Sequence, residues 1–253
     1  MGPDQGVRSV VGMTHTPTAL ITGASRGLGL ALARDLARDG WQLVLDARGA
    51  DALQAVADEL SALTTVRTVA GDIADPAHRE ALNTVACDLG GLDALVLNAS
   101  TLGASPLPDV LDTPIETLRR TFEVNVIAPV ALAQDLLPHL RYGARVIAIT
   151  SDAATRAYHG WGGYGASKAA LEQAFAVVAV ERPELLVYRV DPGEMRTQMY
   201  QESAPGQDIS ELPPPEVSVP GLRALLAGHL PSGRYEAREV PAAVAAATTG
   251  VAS

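Results

Sequence analysis

Short apolar runs alternate with longer segments of helical periodicity along most of this 253-residue chain. The runs are mostly continuous rather than alternating, which is typical of strands in a sheet that is covered on both faces. Strands that alternate with helices form parallel sheets with crossover helices. The predicted strands are Ala19–Thr22, Gln42–Asp46, Val66–Ala70, Ala94–Leu97, Arg145–Thr150 and Leu185–Val190.

The segments between these strands predict helices. They are Gly29–Asp39, Asp51–Leu63, Pro76–Leu89, Pro114–Leu140 with a break near Pro129, and Tyr164–Val180. This order predicts an α/β fold, a Rossmann-type three-layer αβα sandwich with a mainly parallel, doubly wound sheet. No repeat or internal linker interrupts the order, so we expect one domain over residues 18–239.

The remaining segments are predicted to be irregular. Residues 1–17 lack the charged head and apolar centre of a secretory signal, so we expect a flexible leader. Residues 240–253 predict a poorly ordered tail. Residues 198–220 show no clear periodicity and contain five prolines, which predicts a long substrate loop at the carboxyl edge of the sheet.

Charge and composition exclude several classes of function. The chain has 29 acidic and 19 basic side chains, a net charge of −10, which argues against binding to nucleic acid. No apolar run approaches the roughly 18 residues of a membrane span. The single cysteine, Cys87, cannot form an intrachain disulfide or a cysteine-rich zinc site. We therefore expect a cytoplasmic protein without a metal centre.

A glycine-rich turn follows the first predicted strand and precedes a helix. Glycines allow the backbone to approach a pyrophosphate closely, and the free amides at the helix start point at the anion. The alternative is a turn that merely joins a strand to a helix. The predicted cofactor contacts in this turn are Thr22, Gly23, Ser25, Arg26, Gly27, Leu28 and Gly29.

Tyr164 and Lys168 are four residues apart, so they share one face of a predicted helix. A phenol has a pKa of about 10 and is a slow acid–base partner near neutral pH. An ammonium about 4 Å away would lower that pKa by about three units before desolvation is subtracted. The alternative is an ordinary helix face, because this spacing is common. Ser151 follows a strand and points to a substrate contact, or it only caps a turn.

These motifs resemble the short-chain dehydrogenase/reductase family, in its single-domain branch of about this length. The resemblance extends from Ala19 to about Thr197. It implies that Ser151, Tyr164 and Lys168 form the catalytic set, with Asn125 supporting a water-linked proton path. Without the resemblance, Asn125 is interpreted as a core amide whose hydrogen bonds are satisfied. The resemblance also places Tyr164 and Lys168 among the cofactor contacts.

Three further stretches match the family's cofactor site. Asp72 and Ile73 occupy the position of an adenine contact, although Asp72 also fits a helix cap. The turn after the last predicted strand matches the family's nicotinamide contacts through Pro192, Gly193, Met195 and Thr197. Residues 97–100 depart from the family's Asn-Asn-Ala-Gly pattern: Asn98 and Ala99 match, whereas Leu97 and Ser100 do not.

The cofactor preference depends on the end of the second strand. An acidic residue there binds the ribose hydroxyl of NAD, and a basic residue pairs with the 2′-phosphate of NADP. The family's acidic position falls at Ala47, so Asp46 is one residue early, whereas Arg48 and Arg26 are placed as in NADP-preferring members. We expect NADP(H). NAD(H) is the alternative if Asp46 turns toward the ribose.

The resulting functional prediction is a reversible transfer of hydride between nicotinamide and a small-molecule carbonyl or alcohol, with Tyr164 as general acid or base. The alternatives are a catalytically idle NADP(H)-binding sensor or scaffold, and a lyase or isomerase on the same fold. His159, Trp161 and the loop from Gln198 are predicted to shape the substrate pocket. The alternatives are that Trp161 is a packing residue and His159 a surface residue. The resemblance also implies a homodimer or homotetramer. The apolar face of residues 169–180 is compatible with such an interface and equally with packing on the sheet.

Overall fold

The computed structural model describes residues 15–244, so the predicted leader and tail lie mostly outside the described residues. Seven strands form one sheet in the order β3-β2-β1-β4-β5-β6-β7, and every neighbouring pair is parallel. The strands are β1 Thr18–Ile21, β2 Gln42–Ala47, β3 Val66–Ala70, β4 Leu92–Leu97, β5 Leu140–Ile149, β6 Leu186–Asp191 and β7 Gly233–Glu236.

Eight α-helices connect the strands within the described part of the chain. They are α1 Gly27–Arg38, α2 Ala50–Leu60, α3 Pro76–Asp88, α4 Ile115–Phe122, α5 Ala128–Leu136, α6 Gly162–Glu181, α7 Gln198–Ser203 and α8 Val219–Ala227. Each of the six predicted strands overlaps an observed strand, and their order along the chain is the observed one.

The hydrophobic core lies on both faces of the sheet. On one face, α1, α2 and α8 pack on the strands through residues such as Leu32, Leu53 and Leu222. On the other face, α3, α5 and α6 pack through residues such as Leu82 and Leu132. Because apolar side chains leave water on both faces, central strands such as β1 and β4 are apolar along most of their length. The prediction of a three-layer αβα sandwich with a doubly wound sheet is confirmed.

The chain reverses its direction across the sheet between β1 and β4, which are hydrogen-bonded neighbours. From β1 it runs to β2 and β3 on one side, and from β4 it runs to β7 on the other. In open α/β sheets, ligands bind at the carboxyl ends of the strands where this reversal leaves a crevice. This topology places a binding site beyond the ends of β1 and β4.

The predicted helix Pro114–Leu140 is divided into four helical elements. A π-helical turn, Glu123–Ile127, separates α4 from α5. Pro129 has no backbone N–H to donate to the carbonyl of Asn125 four residues earlier, so the regular α-helical pattern cannot continue there. The predicted break near Pro129 therefore lies at the start of α5, and a 3₁₀ turn followed by β5 occupies residues 137–149.

The predicted loop over residues 198–220 contains more regular structure than its composition indicated. Helix α7 begins after Thr197, whose hydroxyl oxygen accepts a hydrogen bond from the Tyr200 amide at 3.2 Å. A 3₁₀ turn over Pro215–Ser218 leads into α8. Prolines occupy first-turn positions of both elements, where their missing N–H costs little. Two of the five prolines, Pro215 and Pro220, therefore begin helical elements, whereas Pro205, Pro213 and Pro214 lie in the irregular segment that follows α7.

One other feature differs from the sequence predictions, and the structure decides between two alternatives at another. Val240, placed at the start of the tail, is 1% exposed, belongs to the core and lies in a helical turn that continues to residue 244. On α6, Leu171 and Phe175 are buried in the core. That face packs on the sheet and so gives no argument for an oligomer. Within residues 15–244, no helix combines the length and apolarity that crossing a bilayer requires.

Candidate active site

The glycine-rich turn connects β1 to α1 through two left-handed glycines, Gly23 with φ +67° and Gly27 with φ +58°. A Cβ atom at Gly23 would lie 3.0 Å from the Cα atom of Ala99, and one at Gly29 would lie 2.6 Å from the Gly23 carbonyl oxygen. Glycine is needed at both positions because the backbones approach so closely. Within residues 15–244, no side chain caps the first turn of α1. Its amides are therefore directed at the cavity in front of it.

Two residues of the segment 97–100, which differs from the family pattern, hold this turn in place. The Thr22 hydroxyl oxygen accepts hydrogen bonds from the amides of Asn98 and Ala99, both at 2.9 Å. The Asn98 side-chain amide donates to the carbonyls of Thr22 at 2.8 Å and Gly23 at 3.2 Å. Asn98 and Ala99 thus join β4 to the turn, although Leu97 and Ser100 depart from the family pattern.

A cavity of about 720 Å³ extends across the carboxyl ends of the strands from this turn. Its volume is in the range that ligand sites occupy. Most of the predicted cofactor contacts line it: Gly23, Ser25, Arg26, Gly27, Leu28, Arg48, Asp72, Ile73, Asn98, Ala99, Tyr164, Lys168, Pro192, Met195 and Thr197. Thr22 and Gly29 support the turn from behind, and Gly193 lines a neighbouring cavity. The glycine cradle, the directed amides and this lining fit a nicotinamide dinucleotide.

Asp46 lies at the adenosine end of the cavity and is held by two neighbours. Its Oδ1 atom lies 2.6 Å from Nε2 of His78, and its Oδ2 atom accepts a weak hydrogen bond from the Gly23 amide at 3.4 Å. Burial raises the pKa of the Asp46 carboxyl, and the hydrogen bond and charge of His78 oppose that rise. Both carboxylate oxygens therefore already have partners within the protein. Ala47, at the family's acidic position, is buried and carries no charge.

Arg48 and Arg26 supply positive charge at this end. Arg48 is exposed on the cavity wall and forms no ion pair within residues 15–244. Arg26 donates a hydrogen bond to the Gln198 side chain, which ties the turn to α7. Asp72 pairs with Arg120, and hydrogen bonds from Ala74 and Arg120 hold the pKa of Asp72 below its usual value despite desolvation.

Tyr164 and Lys168 lie on one face of α6 and are both buried. The Lys168 ammonium nitrogen lies 5.6 Å from the centre of the Tyr164 ring and donates a hydrogen bond to the carbonyl of Ile149 at 2.9 Å. Burial lowers the pKa of Lys168 to about 8. The predicted one-face arrangement is present, and the carbonyl at the end of β5 orients the amine.

The expectation that Lys168 brings the Tyr164 phenol toward neutral pH does not describe this structure. Burial is the largest cause and raises the pKa of Tyr164 well above its ordinary value. The negative charges of Asp191 and Asp152 raise this pKa further, and hydrogen bonding to Ser100 and Ser151 lowers it. The spacing of four residues predicted proximity, but it carried no information about desolvation. The phenol is therefore protonated at neutral pH.

Asn125 lies in the π-helical turn and links two segments of the site. Its side-chain nitrogen donates to the Thr101 carbonyl at 2.8 Å and to the Ser167 hydroxyl at 2.9 Å. Its side-chain oxygen accepts from the Thr101 amide at 2.8 Å and from the Ser100 hydroxyl at 3.1 Å. Ser167 in turn donates to the Tyr164 carbonyl at 2.6 Å. Asn125 is thus a satisfied buried amide that also connects Ser100 to α6.

A second, smaller cavity of about 200 Å³ adjoins the first and shares Tyr164 with it. Ser151 lines this cavity and also caps a short 3₁₀ turn by accepting from the Ala153 amide at 3.2 Å. Trp161 lines it and packs edge-on against Tyr164, with ring centres 5.5 Å apart. His159 does not line it: its side chain is 92% exposed and lies 3.1 Å from Asp109.

Several residues at these cavities were not predicted from the sequence. They include Ser100, Thr150, Asp152, Tyr158, Asp191 and Glu194, each of which lines one or both cavities. The predicted loop from Gln198 does supply Met199 and Tyr200. Ser100 was visible as a departure from the family pattern, but nothing in its neighbourhood connected it with Asn125 or Tyr164. The other residues could have been found from their position, because residues such as Asp152 and Glu194 lie close to the ends of predicted strands.

Comparisons with known proteins agree with this site. The sequence pattern of the family described as short chain dehydrogenase matches residues 17–208. The 1-deoxy-11-beta-hydroxypentalenate dehydrogenase of Streptomyces exfoliatus is 34% identical over 194 residues, which cover 74% of this chain and 70% of that protein. The benzil reductase ((S)-benzoin forming) of Saccharomyces cerevisiae is 33% identical over 195 residues, covering 72% and 73%.

A solved structure is similar over nearly the whole described chain. The alcohol dehydrogenase of the archaeon Thermococcus sibiricus, complexed with 5-hydroxy-NADP, superposes with a TM-score of 0.78 and 27% identity, covering 88% of this chain and 96% of that one. The family match spans the glycine-rich turn, Asn125, Ser151, Tyr164 and Lys168. The chain therefore belongs to the short-chain dehydrogenase/reductase family and is an NAD(P)-dependent oxidoreductase.

Proposed function

We propose that the protein is an NADP(H)-dependent oxidoreductase that reversibly transfers a hydride between nicotinamide and a carbonyl or secondary alcohol substrate, with Tyr164 as general acid and base. The observation that carries this proposal is the position of Tyr164 in the wall shared by the two cavities. A phenol in that wall reaches a cofactor on one side and a small substrate on the other. Proton transfer requires such contact.

The large cavity supplies the cofactor contacts. The turn amide at Gly27 and the first turn of α1 would hold the pyrophosphate. Pro192, Met195 and Thr197 would border the nicotinamide, because they lie on the wall between the two cavities or beside it. When bound, the nicotinamide supplies the hydride for reduction and accepts it in oxidation.

The protonated phenol of Tyr164 can serve as the proton donor when a carbonyl is reduced. A phenol whose pKa is raised by burial stays protonated at neutral pH, so it can donate a proton to the oxygen of a carbonyl that is being reduced. Ser151 lies in the same cavity, and its hydroxyl interacts with the phenol. We assign Ser151 to hold the substrate oxygen near Tyr164, and Lys168 to orient the phenol from beneath.

The preference for NADP(H) over NAD(H) rests on charge at the adenosine end. Arg48 is an exposed guanidinium on the wall, and Arg26 lies in the turn beside it. Guanidinium groups bind phosphate well. Asp46, which would repel a 2′-phosphate if it faced the ribose, is engaged by His78 and the Gly23 amide. The complex of the Thermococcus sibiricus relative with 5-hydroxy-NADP is consistent with this choice.

A panel assay tests the proposal. The protein is mixed with NADPH, and separately with NADH, and offered ketones and aldehydes of varied shape while the absorbance of the reduced nicotinamide is followed. We expect consumption of NADPH with at least one compound, and slower consumption of NADH. Binding of NADPH without consumption across the whole panel would indicate an idle binding protein. A strong preference for NADH would contradict the argument from Arg48 and Arg26.

A further inference from the structure

We propose that the small cavity selects carbonyl substrates by charge: it takes compounds with an apolar or aromatic body and a protonated amine, and it rejects carboxylates. This inference rests on the proposed function, because it names the substrate class of the same site. It is carried by the side chains that line the cavity and by the partners of those side chains.

Three carboxylates line the small cavity, and no basic residue lines it within residues 15–244. The acidic residues are Asp152, Asp191 and Glu194. Asp152 follows Ser151, and Asp191 and Glu194 lie at and just beyond the end of β6. Two loops therefore bring carboxylates to the same opening from different directions. A substrate that enters between them meets a negative potential.

The three carboxylates differ in how far their charge is compensated. Asp191 forms an ion pair with Arg234 at 3.3 Å and accepts a hydrogen bond from the Gly193 amide at 2.9 Å. Asp152 instead accepts from two neutral hydroxyls, those of Ser151 at 3.1 Å and Tyr158 at 2.6 Å. Asp191 thus has a cationic partner, whereas Asp152 has none within the described residues.

Glu194 resembles Asp152 in this respect. Its carboxylate accepts a hydrogen bond from the Tyr200 hydroxyl at 3.1 Å, and it forms no ion pair within the described residues. Arg238 is near, but it donates to the main-chain carbonyl of Glu194. Arg156 interacts with Tyr158 from outside the cavity lining. Asp152 and Glu194 are therefore the two carboxylates of the cavity that have no cationic partner within the described residues.

Aromatic rings complete the cavity. Tyr158, Trp161 and Tyr200 line it together with the apolar side chains of Leu102 and Met199. Aromatic faces attract cations, and this attraction is stronger where water is excluded. The hydroxyls of Tyr158 and Tyr200 are the groups that bind Asp152 and Glu194. Each phenol is thus paired with a carboxylate, a combination that suits an ammonium group and repels an anion.

The negative potential also reaches the reacting position. The charges of Asp191 and Asp152 both act on the Tyr164 phenol and raise its pKa. A substrate whose oxygen lies against this phenol experiences the same field. An anionic group on a substrate small enough for a cavity of about 200 Å³ therefore cannot be placed far from it.

Three aryl ketones of matched shape test this inference: 4-methylacetophenone, 4-(aminomethyl)acetophenone and 4-acetylbenzoate. The measured quantity is kcat/KM for each with saturating NADPH, in the wild type and in Asp152→Asn, Glu194→Gln and the control Asp112→Asn. Asp112 is exposed and lines neither cavity. We expect the ammonium compound to exceed the carboxylate by about tenfold or more. That ratio should fall severalfold in the two cavity variants and stay unchanged in the control.

The ratio of kcat/KM for two substrates cancels any change that a variant causes in the amount of folded enzyme or in the acidity of the Tyr164 phenol. The inference is overturned if the carboxylate reacts as well as the ammonium compound, or if the ratio is the same in all variants. If no ketone is reduced, the proposed reaction loses support. The charge preference is then tested by calorimetric binding of the same three compounds to the protein saturated with NADP⁺. We expect the ammonium compound to bind more tightly than the carboxylate, and tighter binding of the carboxylate would contradict the inference.

Discussion

The Nε2 atom of His78 lies 2.6 Å from the Oδ1 atom of Asp46, and the side chains are only 5% and 2% exposed. The pair joins α3 to the end of β2. Gly71 makes room for it, since a Cβ atom there would lie 2.3 Å from Nδ1 of His78. A buried carboxylate needs such a partner, because its desolvation is otherwise costly. The pair is therefore a structural feature at the edge of the cofactor cavity.

Replacing His78 with Leu should destabilise the fold by about 3 kcal/mol, because it leaves the Asp46 carboxylate buried without its partner. Urea unfolding at neutral pH measures this change. The matched control is Arg34→Gln, which breaks the Arg34–Glu59 pair on the surface. That pair is well exposed on both sides, so the control should cost less than about 1 kcal/mol. Equal losses in the two variants would show that Asp46 does not depend on His78.

Replacing Arg48 with Ala should weaken NADP⁺ binding by about tenfold and leave NAD⁺ binding nearly unchanged, because only NADP⁺ carries the 2′-phosphate. Calorimetric titration of both nucleotides measures the two dissociation constants. Arg38→Ala is the control, since Arg38 ends α1 and does not line the cavity. A parallel loss for both nucleotides would mean that Arg48 acts on the fold or on the shared part of the cofactor.

Replacing Ser100 with Gly restores the glycine of the family pattern and removes two hydrogen-bonding interactions, with Asn125 and with Tyr164. We expect kcat to fall by about tenfold, the size of one lost hydrogen bond to a reacting group, while NADPH affinity stays the same. Ser105→Ala, which removes an exposed hydroxyl bound to the Glu202 carbonyl, should change neither quantity. An unchanged kcat in the Ser100 variant would show that this serine only fills space.

The lowered pKa of Lys168 should make stability rise with pH. Its pKa is about 8 in the folded protein and near the ordinary 10.5 in the unfolded chain, so the unfolded chain binds more protons between these values. Stability should therefore increase by about 2 kcal/mol between about pH 8 and pH 10 relative to Lys168→Met. Denaturant unfolding of both proteins at the two pH values measures this difference. Identical pH dependence of the two proteins would show that folding does not lower the pKa of Lys168.

The parts of the fold that depend on local pattern were predictable from the sequence. Mainly apolar runs such as Gln42–Ala47 predict buried strands. The spacing of Gly23, Gly27 and Gly29 predicts the turn that precedes α1. Each signal arises within a few neighbouring residues. The order of strands and helices then restricts the sheet to a few topologies, because crossover connections have a fixed hand.

Short elements marked by glycine and proline were not predictable in the same way. Strand β7 has four residues, Gly233–Glu236, and is held by its pairing with β6 rather than by an apolar pattern of its own. Helix α8 begins beside Pro220, a residue that also signals a loop. In both places tertiary contacts decide the structure, and the local sequence is compatible with more than one outcome.

The chemistry of the candidate site was also predictable only in part. Tyr164, Lys168 and Ser151 were found through spacing, but the raised pKa of Tyr164 depends on burial and on the distant residues Asp191 and Asp152. Ser100 acquires its contact with Asn125 only when segments 25 residues apart meet. Such effects come from the folded neighbourhood, which one linear sequence does not display.

The most direct test of the central claim compares the wild type with Tyr164→Phe in two measurements on one preparation: NADPH affinity by calorimetry, and consumption of NADPH with a ketone that the wild type reduces. The account predicts unchanged affinity and a loss of turnover of about 10²- to 10⁴-fold, because the proton donor in the wall between the cavities is gone. Near-native turnover in this variant would contradict the assignment of Tyr164 as the general acid.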